Sequence, residues 1–216
     1  MLAPEGLPFL GTAAVVSAAV LAAAARTGHP ALWVLGALLL VITGWVAWFF
    51  RNPERTGERG DQLVIAPADG RVVLITPIDE PTFVGGPTVR VSIFMNVFDV
   101  HVNRYPVNGQ VHHMVRVAGK FLNALTEASS AENEQASVGI VSGPHRILVR
   151  QIAGLIARRI ITDSRVGDTA RQGARMGLIR FGSRVDVFLP PSSTLRVAVG
   201  DRTQAGRTVV AELPLA

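Results

Sequence analysis

Cysteine is absent from this chain of 216 residues, which excludes disulfide bonds, thiolate nucleophiles and cysteine-ligated metals. Lysine is nearly absent too, because Lys120 is the only one. Enzymes that form a Schiff base through a side-chain amine, and proteins that carry biotin or lipoate, normally require a lysine. The sequence has no His-x-x-x-His motif and no acidic cluster that would indicate a metal site. These absences argue against thiol, lysine and metal chemistry.

Charged residues are missing from two stretches near the N-terminus, residues 6–25 and 31–50. Each stretch has about the 20 residues that a helix needs to cross a bilayer. Because only a short connection separates them, the sequence predicts a membrane helical hairpin, although the first, alanine-rich run could instead lie in the interface. Arg51, Arg55 and Arg59 follow the second run. This excess of arginine predicts a cell-membrane location with the rest of the chain on the cytoplasmic side.

Beyond residue 60 the sequence changes to short β-branched runs between turns rich in glycine, proline and asparagine. Strands are predicted over residues 63–65, 71–75, 89–94 and 147–152. Residues 120–136 are predicted to be irregular or briefly helical. The predicted fold is therefore mainly β with a few short helices, a barrel-sandwich-like β-domain over residues 61–216. An N-terminal membrane-anchoring hairpin and basic linker, residues 1–60, precede it.

The pair Gly182-Ser183 interrupts an otherwise apolar and alternating stretch, residues 178–189. Glycine within a strand pattern usually marks a bulge or a close approach of the backbone. One interpretation is a β-bulge with a solvent-facing serine. In the other interpretation the Ser183 hydroxyl attacks the Gly182 carbonyl and the chain cuts itself. The dipeptide alone leaves both interpretations open.

Two groups of polar residues are candidates for chemistry. Asp69 lies on an Ala-Asp-Gly turn, where an aspartate often caps the amides of its own turn. Asp99, His101 and Asn103 are spaced by two residues, so on a strand their side chains share one face. That face could belong to a site, or it could be the solvated side of a sheet.

Five sequence blocks together resemble the short form of phosphatidylserine decarboxylase. They keep the family's order along almost the whole chain, and an apolar N-terminus precedes them. The blocks are Phe-Phe-Arg-Asn-Pro-Glu-Arg at residues 49–55, Ala-Pro-Ala-Asp-Gly-Arg at 66–71, Phe-Asp-Val-His-Val-Asn-Arg at 98–104, Gln-Ile-Ala-Gly-Leu-Ile-Ala-Arg-Arg-Ile at 151–160 and Gly-Leu-Ile-Arg-Phe-Gly-Ser-Arg-Val-Asp at 177–186.

The resemblance implies a proenzyme that cleaves itself between Gly182 and Ser183. Ser183 would attack the preceding carbonyl, His101 would accept its proton, and Asp69 would orient and stabilise the imidazolium. Elimination and hydrolysis would convert Ser183 into a covalent pyruvoyl group, the family's cofactor. The products would be a large chain and a small chain, residues 1–182 and 183–216.

The resemblance also implies a reaction and its partners. The pyruvoyl carbonyl would form a Schiff base with the serine amine of phosphatidylserine, and loss of carbon dioxide would give phosphatidylethanolamine. The net charge of +5 suits an anionic lipid, and no nucleic acid partner is expected. Arg51 and Arg55 are candidates to bind the lipid phosphate. A homo-oligomer and a serine head group on an archaeal-type ether lipid both stay open.

Two observations limit the resemblance. Longer bacterial relatives carry a second histidine three residues after the first, and Arg104 takes that place here. Residues 197–209 and 66–72 also resemble repeats of biotinyl- and lipoyl-like domains, so a membrane-anchored adaptor or carrier is the alternative. A carrier needs a lysine at a hairpin tip, and Lys120 lacks the flanking methionines expected there.

Overall fold

The structure is a computed structural model that describes residues 1–122, 124, 132–154, 159–180 and 183–215. It contains two compact units, Met1–Glu54 and Arg55–Ala216. The first unit is helical and the second consists mainly of strands. The mainly β fold with an apolar helical hairpin at the N-terminus is thereby confirmed.

The first unit is a hairpin of two helices, α1 (Leu7–Thr27) and α2 (Pro30–Phe49). Helix α1 ends at Gly28, whose φ of +67° is a left-handed conformation that glycine adopts without a steric penalty. Helix α2 begins at the next proline, because His29 caps its first turn through Nδ1 and Pro30 has the φ that a first helical residue requires. The connection is tight because Gly28, which ends α1, is followed directly by His29 and Pro30, which begin α2.

Both helices are long and apolar enough to cross a membrane. The segments Pro4–Thr27 and Pro30–Phe49 have mean hydropathies of 2.0 and 2.1, and most of their surface is exposed in the structure. Ser17 Oγ and Thr43 Oγ1 share a hydrogen bond of 3.1 Å, which links the two helices. These features are consistent with membrane association of the hairpin.

The described residues of the second unit form three sheets. The eight-stranded sheet has the order β13-β2-β3-β11-β7-β6-β5-β9, and the three-stranded sheets have the orders β1-β14-β12 and β4-β10-β8. The strands are β1 (Leu63–Ile65), β2 (Gly70–Glu80), β3 (Gly86–Met95), β4 (Val102–Arg104), β5 (Gly109–Val117), β6 (Gln135–Ser142), β7 (His145–Ile152), β8 (Ile160–Thr162), β9 (Thr169–Ala170), β10 (Arg175–Ile179), β11 (Ser183–Leu189), β12 (Thr194–Leu195), β13 (Arg202–Thr203) and β14 (Val209–Glu212).

Strand β11 lies at the centre of the large sheet and is buried on both faces. It pairs with β3 along its whole length and with β7 from Arg184 to Phe188. On one face Val185 and Val187 belong to the main hydrophobic core. On the other face Arg184 Nε donates to Asp186 Oδ1 at 2.9 Å, and both side chains are almost fully buried. The strand thus begins at Ser183, which pairs with β3 and is buried.

Replacing Val187 with alanine is expected to lower the free energy of unfolding by about 2 kcal/mol, because it leaves a cavity in the core. Val187 is 0% exposed, whereas Val199 is 60% exposed. The matched control Val199→Ala should change stability by less than about 0.5 kcal/mol. Denaturant unfolding of the full chain in detergent, followed by far-UV circular dichroism, measures both. Equal losses in the two variants would contradict a core position for β11.

Candidate active site

Ser183 is the first residue of β11 and is 0% exposed. Its backbone lies opposite Met95 of β3, and its Oγ donates to Met95 Sδ at 3.5 Å. A thioether sulfur is a weak acceptor, so this hydroxyl is held by a contact that is easily given up. Gly182, on the other side of the predicted cleavage point, lies outside the described residues. A solvent-facing serine on a β-bulge does not agree with the burial of Ser183.

His101 immediately precedes β4 and is also 0% exposed. Its Nδ1 lies 3.0 Å from the carbonyl oxygen of Asp99. Because a carbonyl can only accept a hydrogen bond, Nδ1 of the neutral ring carries the proton and Nε2 carries the lone pair. The backbone of Asp99 therefore selects the tautomer in which Nε2 is the basic nitrogen.

The fold brings His101 and Ser183 to the same region by two routes. The carbonyl of His101 accepts a hydrogen bond from the amide of Ile179 at 3.3 Å, and Ile179 ends the strand that precedes β11. Asn103, two residues after His101, donates through Nδ2 to Met95 Sδ at 3.6 Å. The same sulfur accepts from Ser183. His101 and Asn103 are fully buried, which excludes a solvated polar face here.

Asp69 lies in the turn between β1 and β2 and caps a distant loop rather than its own turn. Its Oδ1 accepts from the amide of Ala205 at 2.7 Å, and its Oδ2 accepts from Arg55 Nη2 at 2.7 Å. Burial raises the pKa of the Asp69 carboxyl, while the amide of Ala205 and the charge of Arg55 oppose that rise. The charge of Asp99 raises the pKa further, so Asp69 lies close to the segment that carries His101. The predicted orientation of His101 by Asp69 itself stays a prediction.

The two arginines predicted to contact the lipid lie in different units. Arg51 belongs to the helical unit, where its Nη1 donates to the carbonyl of Trp48 and its guanidinium lies 4.2 Å from the centre of the Trp48 ring. Arg55 belongs to the β unit and forms an ion pair with Asp69 at 2.7 Å. Sequence reasoning did not foresee that Arg55 is the partner of Asp69.

Arg104 occupies the place of the second histidine of longer relatives. Its Nη1 donates to the carbonyl of Gly173 at 2.9 Å. Burial lowers the pKa of the Arg104 guanidinium, the charge of Arg55 lowers it further, and the charge of Asp69 raises it. Arg104 thus lies near the Asp69–Arg55 pair. Among the residues that the structure describes, no group of three His, Cys, Asp or Glu side chains could hold a metal ion.

Comparison with known proteins identifies the family. The model of the phosphatidylserine decarboxylase family matches residues 42–211. The phosphatidylserine decarboxylase proenzyme of Symbiobacterium thermophilum is 50% identical over 99% of this chain and 96% of its own length. The proenzymes of Geobacter sulfurreducens and Geobacter metallireducens are 44% and 43% identical, each over 99% of this chain and 97% of its own length. With its motifs in order and nearly its whole length matched, the chain belongs to the phosphatidylserine decarboxylase family.

Proposed function

We propose that this protein decarboxylates phosphatidylserine to phosphatidylethanolamine and carbon dioxide, after cleaving itself between Gly182 and Ser183. The observation that carries the proposal is the full burial of Ser183 at the start of the central strand, in a chain of this family. A buried serine and a buried histidine of defined tautomer, joined through strands β4, β10 and β3, supply the parts of an activated nucleophile. The fragments would be residues 1–182 and 183–216.

Cleavage begins with proton transfer from Ser183 Oγ to Nε2 of His101. The Oγ then bonds to the carbonyl carbon of Gly182, the peptide C–N bond breaks, and the nitrogen takes a proton, which leaves an ester. Loss of the α-proton of residue 183 and rupture of its Cβ–Oγ bond release the Gly182 carboxylate and leave dehydroalanine. Addition of water and loss of ammonia give the pyruvoyl group. No external oxidant or reductant is required.

A pyruvoyl group at position 183 fits the described neighbours. Its formation removes Oγ and leaves Cβ as a methyl group beside Met95, and a thioether packs well against apolar carbon. When formed, the group supplies an electrophilic carbonyl that condenses with the serine amine of the lipid and accepts the electron pair left by carbon dioxide. His101 keeps its Nδ1 proton on the Asp99 carbonyl, so it holds and moves protons at Nε2 only. The same nitrogen, or a nearby acid, would supply the proton that the carbon needs after the loss of carbon dioxide.

The N-terminal hairpin would hold the enzyme at its substrate. Two apolar helices suit a protein whose lipid substrate and lipid product both stay in the bilayer. Arg51 and Arg55 follow α2, and this bias towards arginine supports a β unit on the cytoplasmic side of the cell membrane. Arg51 and Arg55 are each proposed as a ligand of the lipid phosphate, because a guanidinium binds phosphate through charge-assisted hydrogen bonds.

Intact mass spectrometry of the purified, denatured protein tests the self-cleavage. The expected result is two chains divided after Gly182, of which the smaller is blocked at its N-terminus by a pyruvoyl group. Incubation with vesicles that contain phosphatidylserine should then give phosphatidylethanolamine and carbon dioxide. A single chain with unmodified Ser183 would contradict the proposed self-cleavage. The adaptor or carrier alternative is not favoured by the family match.

Replacing Arg55 with glutamine should move the acid side of the pH profile of cleavage to higher pH. Arg55 opposes the rise in the pKa of Asp69, so its loss raises that pKa further, and the carboxylate that stabilises the imidazolium becomes protonated at higher pH. Arg196→Gln, which breaks the exposed pair with Glu212, is the matched control and should not move the profile. An unchanged profile in Arg55→Gln would remove Asp69 from the cleavage step.

The same shift has a consequence for folding. A carboxyl whose pKa is raised in the folded state binds a proton more tightly there than in the unfolded state. The contribution of Asp69 to stability is therefore greatest at low pH and falls as pH rises from 3.8 through the raised pKa. Denaturant titrations of Asp69→Asn at several pH values should lack this slope. A parent and a variant with parallel pH dependence would contradict the raised pKa.

A further inference from the structure

A row of hydrogen-bonded side chains leads from Thr162 to the cleavage site. Thr162 Oγ1 donates to Gln151 Oε1 at 2.7 Å, and Gln151 Nε2 donates to Asn103 Oδ1 at 2.8 Å. Asn103 Nδ2 then donates to Met95 Sδ at 3.6 Å, the atom that also accepts from Ser183 Oγ. The row thus joins strands β8, β7 and β4 and ends beside the residue that is proposed to react.

This row is costly to bury, which indicates a role beyond stability. Asn103 and Gln151 are 0% exposed. The strands around them contribute apolar side chains such as Val149 and Ile179 to the main core. Burying an amide group costs desolvation free energy, and its hydrogen bonds do little more than offset that cost. Apolar side chains of the same shape would leave the stability of the fold unchanged or increase it.

The hydrogen bonds fix which end of the Asn103 amide faces the cleavage site. A thioether accepts hydrogen bonds but cannot donate them, so the Asn103 NH2 group, not its oxygen, faces Met95. At the other end Gln151 holds the Asn103 oxygen, and Thr162 holds Gln151. A proton donor is therefore presented in one orientation towards Ser183.

This donor faces a poor partner in the uncut chain. The Asn103 Nδ2 and Ser183 Oγ atoms can be at most about 7 Å apart, because their distances of 3.6 and 3.5 Å end on the same sulfur. A hydrogen bond to a thioether sulfur is weak, whereas an oxygen that gains negative charge accepts a much stronger one. A preorganised donor of this kind stabilises the charged state selectively.

We infer that Asn103 is the amide donor that stabilises the Ser183 oxygen during self-cleavage, and this inference rests on the function proposed above. As the Oγ–H bond breaks, the proton passes to His101 Nε2 and the electron pair stays on Oγ. The Asn103 N–H turns from Met95 Sδ to this oxygen. Gln151 and Thr162 are positioning residues that keep the amide in the donating orientation.

The test measures how fast a radiolabelled precursor, made by cell-free synthesis in the presence of detergent, is converted into two chains. Asn103→Asp has nearly the same shape but no N–H donor, and cleavage should slow by about 10-fold or more, the value of one hydrogen bond to a charged group. Asn103→Leu should be similarly slow. Thr162→Val should slow cleavage by about 5-fold, the value of one hydrogen bond, and Thr162→Ser should restore it.

A second readout separates donation from mere support of the fold. A protonated aspartic acid regains an O–H donor, so the rate of Asn103→Asp relative to the parent should rise as pH falls. Tyr105→Phe, which removes a different buried hydrogen bond of 2.7 Å to Ser164, is the matched control and should cleave at the parental rate. Thermal unfolding of each precursor monitors the fold.

Three outcomes are distinguishable. A parent that is never cleaved would overturn the proposed function itself. If the parent is cleaved and the Asn103→Asp and Thr162→Val precursors convert at the parental rate, only the inference about Asn103 is overturned. If both Asn103 variants unfold, the Thr162→Val and Thr162→Ser pair decides, since Thr162 is only partly buried. Equal rates in those two variants would overturn the inference as well.

Discussion

A Ser183→Ala variant is expected to stay a single uncut chain and to show no phosphatidylserine decarboxylation. Alanine keeps Cβ and removes Oγ, the atom proposed to attack Gly182. Without that attack no ester forms, so the elimination that would lead to the reactive carbonyl cannot begin. Because Ser183 is fully buried at the start of β11, water is poorly placed to replace the missing hydroxyl. Both the cleavage and the reaction that depends on it should therefore fall below detection.

Denaturing gels and intact mass report the cleavage, and conversion of phosphatidylserine in vesicles reports the activity. Ser92→Ala is the matched control, because Ser92 is another fully buried serine on the adjacent strand β3. It should be cleaved and active like the parent. An uncut Ser183→Ala protein that still decarboxylates the lipid would end the pyruvoyl proposal.

A His101→Ala variant is expected to accumulate as the full-length chain. Without Nε2 the proton of Ser183 has no base to accept it, and a lost general base typically slows a reaction by about 10²–10⁴-fold. The Asp99 carbonyl that holds Nδ1 would still be in place, so the change removes the base with little effect on its support. A time course of precursor conversion measures the effect.

His113→Ala is the control for loss of an imidazole elsewhere. His113 lies on β5 and contacts the ring of Phe83, with the ring centres 5.5 Å apart. It should leave the rate of cleavage unchanged. Parental processing of His101→Ala would show that another group accepts the proton.

Much of the framework could be predicted because local patterns determine it. Two uncharged runs with Gly28 and Pro30 between them specify the helical hairpin. The β-branched run Leu63–Ile65 is a strand with the predicted bounds. The β-branched alternation after Ser183 likewise corresponds to β11. In each case the conformational preferences of the residues and the pattern of burial favour the same secondary structure.

Strand β6 (Gln135–Ser142) was not predicted, and its first two residues fall at the end of the segment 120–136 that is predicted to be irregular or briefly helical. Gly139 has no side chain to contribute, but a Cβ at this position would lie 2.6 Å from the ring of Phe83. The requirement for glycine therefore comes from a partner far away in the chain. The remainder of the predicted segment lies in part outside the described residues.

The partners of the polar site residues were also beyond sequence reasoning. The spacing of His101 and Asn103 indicates a shared face, but not that the face is buried. Arg55 meets Asp69 across 14 positions, and Gln151 meets Asn103 across 48. Such pairs depend on which strands become neighbours, and tertiary structure alone decides that.

The central position of β11 also fixes the order in which the enzyme can come into being. A chain cut before folding would have to insert the short strand β11 between β3 and β7, two strands that would otherwise expose unpaired edges. Because Ser183 meets Met95 where β11 pairs with β3, the proposed cut requires a folded sheet. The electrophilic carbonyl would then arise only in molecules that have already folded.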